Sequence, residues 1–178
     1  MTPTHLPGHV AIPQLDRFNG APAADPQPTL LSCLRSHRWA HRITAHRPYP
    51  DLGSLLAASD EAAYDLSPAD LAEALAGETL PTLPEDTYEA AYTALNAAYA
   101  AYEAKFGHVF VISLDGATAT QTVNRVLEAI RSRLAHDPEE ERQVAVEELR
   151  SLAKARLTSA LGGARNPAAR HKRPTPGR

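Results

Sequence analysis

Residues 88–107 read YEAAYTALNAAYAAYEAKFG, and this stretch sets the fold class. Tyr88, Tyr92, Leu95, Tyr99 and Tyr102 recur at alternating steps of four and three, which places them on one face of an α-helix. The other positions are mostly alanine, the residue with the highest helix propensity. Asp86 with Glu89 three residues on has the spacing of a capping box, so the helix is expected from there to about Lys105. Gly107 supplies its stop, since glycine tolerates the left-handed conformation that closes many helices. The tyrosines are expected to pack against the core with their hydroxyls at its rim.

Working outward, Val109-Phe110-Val111-Ile112 is a short apolar run with an extended reading, and its pattern alone does not separate it from a buried strand. Beyond Gly116 a helix is expected over about Thr120 to Leu134. A last one opens at Asp137-Pro138, a cap followed by proline, and closes near Gly162. Upstream, Ser67-Pro68 opens a helix that Gly77 closes, and another runs from about Leu52 to Asp65. Leu30, Leu31, Leu34, Trp39 and Ile43 form an approximate helical stripe ending before Pro48. Pro3, Pro7, Pro13, Pro22, Pro26 and Pro28 break the first thirty residues into extended pieces, with a short helix plausible only around Leu15 to Asn19. No strands alternate with these helices, so the fold class is all-α, a single-domain helical bundle.

Several of these segments together resemble the 2-oxo-4-hydroxy-4-carboxy-5-ureidoimidazoline (OHCU) decarboxylase family of urate degradation. The resemblance is carried by Asn96-Ala97-Ala98-Tyr99, by Lys105-Phe106-Gly107 and the apolar run to Ile112, by Arg133-Leu134 with Asp137-Pro138-Glu139, and by Ala155-Arg156-Leu157. Leu15-Asp16-Arg17-Phe18-Asn19, Arg38-Trp39-Ala40 and Arg47-Pro48-Tyr49 resemble the family's first helices. It implies a helical bundle that forms homodimers, uses no cofactor and decarboxylates OHCU to (S)-allantoin, a carbon–carbon lyase reaction of purine catabolism.

The resemblance also assigns site positions. Arg156 would bind the substrate, because its planar fork suits a carboxylate or ureido oxygen. Backbone amides of Phe110, Val111, Ile112, Ser113 and Leu114 would contact it as well. The family's catalytic His-Pro pair, however, falls where this chain reads Glu78-Thr79, and most of the following Ser-x-x-Glu-Gln segment is missing. Glu78 and Glu89 are the nearest stand-ins for the family's His and Glu. An ionised Glu78 beside a substrate carboxylate would repel it by about 4 kcal/mol at about 4 Å for an effective dielectric of about 20. That exceeds the gain of about 1 kcal/mol from a hydrogen bond. Three readings therefore stand: a decarboxylase with rearranged chemistry, a non-catalytic relative that binds a ureide-like ligand or pairs with an active member, and a plain helical interaction module whose basic tail contacts nucleic acid or an acidic partner. For Arg156 the bland alternative is an ion pair with an internal carboxylate, and for His108 it is packing.

Composition bounds the rest. The chain has 178 residues, 43% of them hydrophobic, enough for one core. The expected organisation is a Pro-rich segment over 1–28, a helical domain over 29–162 and a basic tail over 163–178. Arg165, Arg170, Lys172, Arg173 and Arg178 crowd that tail, and without interleaved aromatic residues it gives little reason to expect nucleic-acid binding. Cys33 is the single cysteine, so no intrachain disulfide or thiolate cluster can form, and a cytoplasmic location is the simplest expectation. No membrane span is expected. His37 and His41 lie one turn apart on a stretch that also holds His46, but without a third ligand at a suitable spacing no metal site is expected.

Overall fold

The computed structural model describes residues 12–163. Among these, all regular structure is helical: α1 (Pro13–Gly20), α2 (Gln27–Cys33), α3 (His37–Ala45), α4 (Leu52–Tyr64), α5 (Pro68–Ala76), α6 (Glu89–Phe106), α7 (Ala119–Arg133) and α8 (Pro138–Leu161). The basic tail lies outside the described residues apart from Gly163.

Local chemistry opens and closes these elements largely as expected. At α5 the Ser67 hydroxyl accepts from the Asp70 amide at 3.2 Å, while the Asp70 carboxylate accepts from the Ser67 amide at 3.1 Å. At α8 the Asp137 carboxylate accepts from the amides of Glu139 and Glu140 at 2.9 and 2.8 Å. Gly107 closes α6 with φ of 77°, a conformation that costs glycine little.

Three local expectations are corrected. The stripe from Leu30 to Ile43 is two helices rather than one, because Leu34 turns extended and Ser36 caps α3 by accepting from the Trp39 amide. The capping box at Asp86 and Glu89 does not form: Tyr88 is the N-cap, no side chain caps the helix, and Glu89 is its first residue. The tyrosine face is buried only from Leu95 onward. Tyr88 is 84% exposed and Tyr92 is also exposed. The short helix read around Leu15 to Asn19 is present as α1. Leu15 and Phe18 of α1 are buried, and Asn19 exchanges hydrogen bonds of 2.8 and 2.9 Å with the main chain of Tyr49.

The long helix α8 is the axis of the bundle. It packs along α4 and also against α2 and α1, while α3 lies on α2 and α4. Its buried residues Glu141, Ala145, Leu149, Ala153, Leu157 and Leu161 recur every fourth position. Helices α6 and α7 pair separately over a second core of Leu95, Tyr99, Tyr102, Phe110, Val126 and Ile130. The apolar run after Gly107 joins the two cores. Successive side chains of an extended chain point to opposite sides, so Phe110 enters the smaller core and Val111 the larger one.

Candidate functional site

Arg156 lies on α8 between the buried Ala153 and Leu157, so its guanidinium is carried toward α2 and the end of α5. There it meets Glu78. Nη1 donates to Oε1 at 2.8 Å and Nη2 to Oε2 at 2.9 Å, a two-point match of guanidinium and carboxylate. Nη1 also donates to the Cys33 carbonyl at 3.0 Å. The Glu78 side chain is only 6% exposed, against 36% for Arg156. Hydrogen bonding to Glu78 holds the guanidinium's pKa above its ordinary value, against the opposing effect of burial. Beneath the pair, burial pushes the Cys33 thiol up, outweighing a hydrogen bond with Ser32 and the nearby Arg156 charge.

Glu78 reaches this position because α5 stops just before it. Gly77 is the C-cap, and the Glu78 amide donates back to the Leu75 carbonyl at 3.1 Å. The Gly77 backbone angle is ordinary for any residue, so the requirement for glycine is steric. A Cβ there would stand 2.3 Å from Cδ and 2.7 Å from Cβ of Arg35. Gly77→Ala is therefore expected to shift the end of α5, at a cost of about 1–3 kcal/mol for overpacking. Thermal unfolding reads the loss, and an unchanged midpoint would mean that Arg35 moves aside freely.

The extended run is the second component. The Ser113 amide donates to Glu148 Oε2 at 2.7 Å, and the Val111 carbonyl accepts from Arg133 Nη1 at 2.6 Å. Of the backbone amides expected to face a ligand, that of Ser113 is thus engaged by one of the chain's own side chains. Phe110 and Val111 are buried, and Ile112 and Leu114 are partly buried against the smaller core.

The remaining sequence candidates lie apart from this centre. Glu89 is exposed at the start of α6, and its side chain joins no ion pair among the described residues. His108 packs its ring edge-on to Tyr102, 5.5 Å between centroids, and tilted against Phe106. His37 pairs with Glu73, His46 Nδ1 bonds the Arg42 carbonyl at 2.8 Å, and no cluster suited to a metal occurs among the described residues.

One charged centre escaped the sequence reading. Arg133, buried at the end of α7, donates through Nε and Nη2 to Glu141 Oε1 at 2.9 and 2.6 Å. Tyr102 also donates its hydroxyl to that oxygen, and His136 Nδ1 lies 2.9 Å from Oε2. The guanidinium is 4.5 Å from the Phe110 ring centroid, within cation–π range. A signal was available. Arg133 continues the buried stripe of Val126 and Ile130, and Glu141 heads the buried stripe of α8, so each charge sits at an apolar register position. The hydroxyl of Tyr99, by contrast, is buried with no hydrogen-bond partner among the described residues, and burial pushes its pKa up to about 12.

Fold and centre together define an all-α bundle in which Arg156 of α8 is paired at two points with the Glu78 carboxylate. The OHCU decarboxylase family model matches residues 19–83 and 82–158, and the chain belongs to that family. No curated protein matches it in sequence. Among solved structures, an (S)-allantoin synthase superposes with a TM-score of 0.65 at 24% identity over 83% of this chain. An OHCU decarboxylase crystallised in the presence of (S)-allantoin superposes with a TM-score of 0.64 at 18% identity, over 74% of this chain and 96% of its own length. The chain spans about half, 54%, of the allantoin synthase. At these identities the superpositions establish the shared fold, and no helix among the described residues is long and apolar enough to cross a membrane.

Proposed function

We propose that this chain is a non-catalytic member of the OHCU decarboxylase family, one whose own Glu78 takes the carboxylate position on Arg156. The bidentate Glu78–Arg156 pair is the observation that carries this reading. A substrate carboxylate would have to displace Glu78 and then sit beside the charge it displaced, a repulsion of about 4 kcal/mol at about 4 Å for an effective dielectric of about 20. Both Glu78 oxygens accept from the guanidinium, so this carboxylate is engaged in binding rather than poised to deliver a proton. An imidazole at that position would exchange protons near neutral pH, and general acid–base help of that kind contributes about 10²–10⁴-fold to rate. Its remaining role is then to hold a small ureide, or to pair with an active family member, as a homodimer-forming cytoplasmic protein without a cofactor.

Decarboxylation of OHCU to (S)-allantoin is the second reading, favoured by the family match and by an Arg156 side chain that solvent still reaches. The two separate with substrate freshly generated from urate, following allantoin by circular dichroism with and without the chain. Racemic allantoin at the protein-free rate is expected. Rapid build-up of one enantiomer would make the chain a decarboxylase and overturn the proposal.

A further inference from the structure

The end of α6, one side of α5 and the first turns of α8 line a cavity of about 470 Å³. It is separate from the Arg156 centre. Arg142, which lines it, stands about 21 Å from Arg156 along α8 at a rise of about 1.5 Å per residue. Leu71, Leu75, Phe106 and Val109 give the cavity apolar walls. Three further lining side chains, Arg142, Glu103 and His108, supply polar groups, and each has capacity that its own contacts leave unused. Arg142 commits Nε and Nη2 to Glu139, the first at 3.0 Å, while its Nη1 meets no acceptor among the described residues. Glu103 is exposed, and its carboxylate joins no cation there. The His108 ring sets Nδ1 3.0 Å from the Val109 carbonyl. That contact requires a hydrogen on Nδ1, so in the neutral ring Nε2 carries the lone pair and accepts. One cationic donor thus shares an apolar cavity with two acceptors, one of them anionic.

We propose that this cavity binds an apolar α-amino acid as its zwitterion, with Arg142 on the carboxylate and Glu103 and His108 on the ammonium group. The combination of groups selects the class. A purely apolar molecule would fill the walls and leave all three polar side chains without a partner. A simple carboxylate would satisfy Arg142 but bring its charge toward Glu103, and a simple amine would do the reverse with Arg142. A molecule carrying both charges side by side at one end of an apolar body meets every group. Its ammonium has three N–H donors, enough for Glu103 and His108 Nε2 together. The volume falls within the range of about 300–1,000 Å³ usual for small-molecule sites. An aromatic side chain suits it best, because the Phe106 and His108 rings lie together in the lining, 6.4 Å between centroids.

The test titrates L-phenylalanine into the full chain by calorimetry and follows the backbone amide signals of Gly107, His108 and Val109 in NMR. Saturable binding at millimolar concentration or below is expected, with those signals moving. Phenylpropionate lacks the ammonium and phenethylamine lacks the carboxylate, and each should bind at least about tenfold more weakly, the loss of one hydrogen-bonded charge. Glu103→Gln and Arg142→Ala, both at exposed positions, should weaken L-phenylalanine binding by a similar factor, with far-UV circular dichroism confirming that the helices remain. Ala72→Trp, also at an exposed position of the lining, should abolish it by occupying the cavity. Three results would each overturn the site: no saturable binding to the unmodified chain, equal affinity for the three probes, or unchanged affinity in either charge variant. Should a variant not fold, the three probes on the unmodified chain decide alone. None of these readouts involves Arg156 or allantoin formation, so this site and the proposed function stand or fall separately.

Discussion

Replacing Arg133 by methionine is expected to destabilise the chain by about 3–5 kcal/mol, the range for removing one partner of a buried ion pair. The substitution keeps most of the apolar volume beside Phe110 but leaves Glu141, fully buried, without its cation. The Val111 carbonyl loses its donor in the same step. Because Val111 and Phe110 belong to different cores, the damage should reach both, and urea denaturation should register it in the midpoint. A loss below about 1 kcal/mol would mean that water or another side chain replaces the guanidinium.

The same centre makes the chain sensitive to acid, with a direction set by Glu141. Burial pushes the Glu141 pKa up, yet hydrogen bonds from Arg133 and Tyr102, the Arg133 charge and the contact with His136 together outweigh it, so the carboxyl titrates below its ordinary value of 4.5. A carboxyl depressed in the folded state binds fewer protons there than in the unfolded one, so stability falls as pH drops below that ordinary value. The Arg133→Met variant should behave in the opposite way. Its Glu141 is buried with only the His136 contact in place of the guanidinium, a loss that raises a carboxyl pKa, so lowering the pH should restore part of its lost stability. Midpoints of urea unfolding across the acid range, for both proteins, test this reversal.

The second large effect is expected at Trp39. It is fully buried and heads the largest such side chains of the bundle, and its indole N–H donates to the Ser59 carbonyl at 3.2 Å, tying α3 to α4. Trp39→Ala removes that tie and leaves a cavity, at a cost of about 3–5 kcal/mol. Trp39→Phe retains much of the volume and should forfeit mainly the hydrogen bond, about 1 kcal/mol. Because α3 also lies on α2, whose Cys33 carbonyl anchors Arg156, the alanine variant should loosen the Arg156 signals in NMR before global unfolding. A Trp39→Ala chain as stable as its phenylalanine counterpart would show that the surrounding helices close over the void.

What the residues determined by themselves is the set of helices and most of their ends. Ser67 before Pro68, Asp137 before Pro138 and Gly107 act within a few residues of where they stand, so their consequences are visible without a fold. The tyrosine and leucine periodicity likewise assigned α6 and its inner face from Leu95 onward. The same locality explains the failures. Whether Tyr88 and Tyr92 are covered depends on how neighbouring elements pack, and whether α2 and α3 are one helix depends on the turn that places Trp39 against Ser59.

The candidate site divides in the same way. Both Glu78 and Arg156 were recognisable as the positions that matter through the family resemblance, which sets one where the family's His falls and makes the other a substrate ligand. That they satisfy each other could be decided only by the tertiary structure, because 78 residues separate them along the chain and no local preference acts over that distance. Glu148 on the Ser113 amide and Glu141 on Arg133 belong to the same category. A carboxylate finds its donor through the packing of helices, and that packing assigned three of this chain's carboxylates to the Arg156 guanidinium, the Ser113 amide and the Arg133 guanidinium.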